Sequence, residues 1–195
     1  TELMNRLERL PEVEAVSASS NARPYIGNNS GMMLRIDTVV RCPLRRMMTP
    51  EFFRVFRYQS ADGRGYQPLV QALRNGNIVV SENLWPDDYK DDRALLGREV
   101  VNVDDSTEIY KIGGVSAKVR YNDFWANYSD RYIAIAFTEK QMVDLDDDFY
   151  PSSLEVCLRV KPGTSKDFAE HLMKLSVNQL CVGNLFLLKV HDYED

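Results

Sequence analysis

Between residues 154 and 160, Leu154, Val156, Leu158 and Val160 alternate strictly with Glu155, Cys157 and Arg159. A period of two puts every apolar side chain on one face, so the segment reads as a strand with one buried side. Pro162-Gly163 then turns the chain, Thr164 with Asp167 approximates a capping box, and Phe168, Leu172 and Leu175 lay a stripe along a helix. Leu185, Phe186, Leu187 and Leu188 form a continuous apolar run, the mark of a buried strand. At the other end, Leu3, Leu7 and Leu10 repeat at helical spacing, Pro11 stops that helix, and Val13 to Ser19 reads as a strand. Helix–strand at the start and strand–helix–strand at the finish predict one split α+β sandwich closed by both chain ends, with residues 46–127 as an inserted lobe.

The middle is read in the same way. Residues 20–31 are turn-formers, and MMLRIDTVVRC at 32–42 has the β-branched content of a second strand. Thr49 as cap and Pro50 at the first helical position start a helix whose Phe52, Phe53, Val55 and Phe56 are too dense for exposure. Asn75-Gly76 makes a turn, Ile78 to Val80 a short buried strand, and Ser81 caps a helical turn rather than serving as a nucleophile. In LGREVVNVDDSTEIYKIGGV, residues 96–115, Val101, Val103, Ile109, Lys111 and Val115 alternate around the turn residues DDST, which makes two strands and a hairpin. Gly97, Gly113 and Gly114 fit neither a phosphate-binding GxxxxGK[ST] loop nor a dinucleotide GxGxxG loop.

Charge narrows the partners. The 24 Lys and Arg are scattered among 29 Asp and Glu, and the net charge is -5, so the clustered cations that a nucleic acid demands are missing. Arg41, Arg45 and Arg46 form a short basic group that reads as a solvated face. Cys42, Cys157 and Cys181 have no zinc-binding spacing, and which of them pair, if any, is not fixed by their positions. No apolar run reaches the length of a membrane span and no signal peptide is present. The chain begins at Thr1 without a methionine and stops at Asp195, and so reads as an excised piece.

No constellation carries chemistry. His171 lies on the last helix and His191 near Tyr193, each without a nucleophile at a motif spacing. Asp144, Asp146, Asp148 and Glu155 match the ligand spacing of a calcium loop, but Phe149 stands where its sharp turn requires glycine, so an acidic solvated loop is expected. No metal, no cofactor and no catalytic residue is expected. Trp85 and the aromatic group Tyr121, Phe124, Trp125 and Tyr128 serve either to fill the inserted lobe or to contact a partner. Trp85, Tyr121, Phe124 and Trp125 are the partner-contact candidates.

The order of these motifs resembles the MacB-like periplasmic core domain of ABC-transporter permeases in the MacB/FtsX superfamily. Pro11 to Ser17, Phe53, Val79 to Leu84, Leu96-Gly97 and Tyr110 to Val115 carry the resemblance, which covers essentially the whole chain. It implies a porter-like α/β sandwich lobe built from residues 1–45 and 128–195 and an inserted mixed α/β, Sabre-like lobe at 46–127. It also implies an extracytoplasmic, non-catalytic domain held by transmembrane helices outside this fragment. Its partners would be a cytoplasmic ATPase subunit or domain, a periplasmic adaptor, and a second permease subunit in a dimer. Its work would be mechanotransmission, in which cytoplasmic ATP hydrolysis reshapes the outer domain to export a peptide, antibiotic or lipid-linked cargo. The alternative is an FtsX-like regulatory module that docks and activates a cell-wall hydrolase. A free-standing enzyme would need a pocket of convergent titratable groups, and the sequence offers none.

Overall fold

The computed structural model describes residues 2–20, 22, 30–85, 92–119, 131–138, 141 and 154–175. Among these residues four helices, α1 (Glu2–Glu8), α2 (Phe52–Val55), α3 (Gln67–Arg74) and α4 (Phe168–Leu175), lie against nine strands. The strands are β1 (Val13–Ser20), β2 (Leu34–Ile36), β3 (Val39–Arg41), β4 (Leu44–Met48), β5 (Ile78–Ser81), β6 (Glu99–Asn102), β7 (Ile109–Ser116), β8 (Tyr132–Ala136) and β9 (Leu154–Val160). They form one mixed sheet in the order β3-β2-β6-β7-β5-β8-β4-β1-β9. The pairs β4–β8 and β5–β7 are parallel, and the remaining pairs antiparallel.

The alternation read at 154–160 is realised in the longest ladder, in which β1 and β9 run antiparallel with Val16 opposite Leu158 and Ala18 opposite Val156. Against this face α1 and α4 seal Leu3, Leu7, Val16, Phe168 and Leu172, so the two outermost described helices share one core. On the opposite face α2 and α3 lay Phe52, Phe53, Leu69, Val70 and Leu73 over Met48, Val79, Tyr132 and Ala134. A third cluster joins Leu34, Ile36, Val100 and Ile112 to Ile78, Val80, Trp85 and Ile133. Neighbouring residues of β5 and β8 thus fall in different clusters, and these central strands are buried on both sides, as their unbroken apolar runs require.

Several local expectations are corrected. Residues 32–42 are not one strand but the β2–β3 hairpin, because Asp37 adopts a φ of 52° and folds the chain back. Asp tolerates this left-handed region better than most residues. The Thr49 hydroxyl does not cap α2; it accepts a hydrogen bond from the Ala18 N–H at 3.0 Å and ties the helix entry to β1. Thr164 forms no capping box either, since its hydroxyl donates to the Lys161 carbonyl. Ser81 ends β5, and its buried hydroxyl accepts from the Tyr132 N–H at 3.1 Å. Arg46, read as solvated, is buried. By strand alternation it shares the side of β4 that carries Met48, two residues on, which belongs to the core under α2 and α3. The apolar run 185–188, the acidic loop 144–153, Cys181 and His191 lie outside the described residues.

Candidate functional site

A catalytic reading would require exposed, mutually positioned groups. Among the described residues, a tight cluster of hydroxyls joins Ser81, Ser116 and Tyr132, with the Ser116 and Tyr132 oxygens 2.5 Å apart. All three residues are buried between the strands, so the cluster fixes the β5–β7–β8 join and no substrate reaches it. Ser17 and Ser19 also carry buried hydroxyls, which meet no hydrogen-bond partner among the described residues. His171 is exposed on α4. Among the described residues no group of His, Cys, Asp and Glu is arranged to hold a metal ion. Cys42 is exposed and Cys157 half-buried.

Two clefts remain. One, of about 420 Å³, lies between the start of β1 and the α2–α3 layer, lined by Glu8, Glu14, Glu51, Arg54 and Arg74 over Val13 to Val16. Glu51 and Arg74 pair across its mouth, which closes part of its charge on itself. The other, of about 390 Å³, is more apolar and is lined by Phe56 to Gln59 and by Ala117, Lys118 and Val119.

Of the partner-contact candidates, Trp85 is corrected. It is fully buried in the cluster beneath β5 and β8, where an indole's area serves packing, and it offers no surface to a partner. Tyr121, Phe124 and Trp125 lie outside the described residues. Reading by motif missed the outer face of β2, β3, β6 and β7, where Met33, Val40, Val103 and Ile109 are exposed. The signal was in the sequence, since Val100-Val101 and Val39-Val40 place a valine on each side of a strand that has one covered face.

Other proteins share this arrangement. The family described as MacB-like periplasmic core domain matches residues 1–174. The structure is similar to the periplasmic region of MacB from Actinobacillus actinomycetemcomitans, with a TM-score of 0.55 and 12% identity over 89% of this chain and 70% of that one. A domain assigned to a permease protein from Porphyromonas gingivalis gives a TM-score of 0.59 and 21% identity, over 87% of this chain and 66% of that one. The extracellular domain of the noncanonic ABC-type transporter YknZ from Gram-positive bacteria gives 0.52 and 15%, over 88% and 76%. The chain therefore spans about two thirds to three quarters of these structures. No curated protein matches the sequence.

Proposed function

Because this chain belongs to the family of MacB-like periplasmic core domains, we propose that it is the extracytoplasmic, non-catalytic domain of an ABC-transporter permease subunit, reshaped by cytoplasmic ATP hydrolysis to export a peptide, antibiotic or lipid-linked cargo. One observation carries the mechanical part of this reading. The helices α1 and α4, far apart in sequence, are joined through Leu3, Leu7, Phe168 and Leu172 on the β1–β9 face. A displacement imposed on either helix is therefore delivered to the same two strands. From β1 it passes to α2 through the Thr49 hydroxyl bound to Ala18, and from β9 through the Arg159 guanidinium, which donates to the Val55 carbonyl at 2.6 Å. Packed elements of this kind move as units rather than deforming continuously. Tyr121, Phe124 and Trp125 are the proposed contact for a protein partner, since Tyr and Trp are enriched at interface hot spots.

The test uses the full-length permease with its ATPase in membranes. Replacing this domain by a short flexible linker is expected to abolish cargo export while ATP hydrolysis continues. Export that survives the replacement would sink the reading. Export that is unaffected while a cell-wall hydrolase loses its activation would establish the regulatory module instead.

A further inference from the structure

The α2–α3 layer ends at β7, over Gly113 and Gly114. Beyond it the same face of the sheet continues across β6, β2 and β3. The register places Val40 opposite Arg35, Arg35 opposite Val101 and Val101 opposite Ile109, one row across four strands. The Val103 N–H donates to the Met33 carbonyl at 2.8 Å and so extends the ladder by one more apolar pair. Residues of the alternate set, Leu34, Ile36, Val100 and Ile112, are sealed in the core on the other side. An antiparallel sheet with one solvated face ordinarily carries polar residues there. Here Met33 is 39% exposed, Val40 40%, Val103 42% and Ile109 56%, on adjoining strands. Contiguous apolar surface of this kind marks a contact.

The charges around it say with what. Arg35 is exposed, donates to the Asp37 carbonyl, and forms no salt bridge among the described residues, Glu99 on the neighbouring strand being set opposite Lys111. Asp104 follows Val103 at the hairpin tip and is also exposed; its N–H bonds to Asn102, and its carboxylate meets no cation among the described residues. Glu99 and Lys111 stand directly opposite each other on β6 and β7 and cancel. The patch is therefore electrically balanced on a chain of net charge -5, so it is a place where two copies approach without repulsion. It also has a direction, with an unmatched cation on one side of Met33 and Val103 and an unmatched anion on the other. A two-fold rotation through that apolar centre lays Val103 against its own copy and brings each Arg35 to the other copy's Asp104. We propose that the outer face of β2, β3, β6 and β7 is a two-fold contact between two copies of this chain, centred on Met33 and Val103 and closed by reciprocal Arg35–Asp104 pairs.

This inference is independent of the transport reading, because its readout needs neither membrane nor ATPase. Sedimentation equilibrium of the chain, with reductant to keep Cys42 and Cys157 as thiols, measures the association directly. The wild type is expected to show a monomer–dimer equilibrium that weakens with salt. Arg35→Asp or Asp104→Arg alone is expected to weaken it about tenfold or more, and the double exchange to recover most of that loss. Val103→Glu is expected to leave only monomer. All three positions are exposed, so unchanged circular dichroism and melting temperature certify the fold of each variant. A wild type that stays monomeric up to about 1 mM, a dimer indifferent to the single exchanges, or a double exchange without recovery would each overturn the proposal.

Discussion

At the scale of single residues, two positions show how little freedom the join between β7 and α3 leaves. A Cβ on Gly113 would stand 2.6 Å from the Asn77 Cβ and 3.0 Å from the Ala72 Cβ. Neither neighbour can swing away, because both are Cβ atoms fixed to the backbone. Gly113→Ala is therefore expected to destabilise the protein by about 2–3 kcal/mol, the range of overpacked cores. Gly76 has a φ of +72° with nothing within 4 Å, so Gly76→Ala carries backbone strain alone and is expected to cost about 1 kcal/mol. Urea denaturation of both variants gives the order, and equal losses would contradict the steric account. Asp62 makes a different kind of constraint. Its carboxylate accepts from the buried Ser60 hydroxyl at 2.6 Å and from Arg64, and the Ser60 bond first, then Arg64, holds its pKa below the ordinary value of 3.8. A carboxyl with a depressed folded pKa contributes stability that is present above its ordinary value and disappears as pH falls through the lower folded one. Melting temperatures of the wild type and Asp62→Asn should thus differ at pH 7, begin to approach each other near pH 3.8 and converge only as pH falls through the lower folded value. A difference that persists in acid would mean the turn is held by something else.

At the scale of elements, what was readable depended on whether side-chain period or backbone geometry carried the information. The β6–β7 hairpin and α4 are written as periods and are found where alternation and stripe put them. The β2–β3 hairpin is hidden, because its turn depends on Asp37 taking a positive φ inside a run that is β-branched throughout. Asn75-Gly76 signals a turn in the sequence, and the structure uses it to end α3, a helix whose Leu69, Val70 and Leu73 face the core. Arg46 misled for a general reason, since a charge is seldom buried and β4 buries one. The exposed valines of the outer face were invisible to a reading that looked for catalytic and aromatic residues. Burial also ranks the elements by local stability. Amides of β5 and β8, packed on both faces, should exchange with deuterium only through global unfolding. The three-residue strands β2 and β3, with one face open, should exchange through smaller openings. Equal protection in β3 and β5 under exchange at equilibrium would show that the outer hairpin is held by contacts beyond the sheet.

For the whole molecule, the sheet order bears on how far the chain can behave as two lobes. Within residues 1–45, β1 lies near one end of the sheet while β2 and β3 form its other end, next to β6 from the central part of the chain. β4, residues 44–48, spans the expected boundary and pairs on one side with β1 and on the other with β8. Hydrogen bonds therefore run without a break from β3 to β9, and no described strand is left out of the chain of pairings. Two units that shared only a linker would unfold separately, whereas one ladder couples them, because losing a central strand strips both neighbours of partners. The chain has two tryptophans, and Trp125→Phe leaves only Trp85, buried in the cluster that joins the outer strands to β5 and β8. In urea its fluorescence should report the outer half, while far-UV circular dichroism reports the whole. The two midpoints are expected to coincide within about 0.2 M. A fluorescence transition that comes earlier would make the outer strands a separable unit, and motion between lobes, rather than motion of helices over one continuous sheet, would then be the way this domain changes shape.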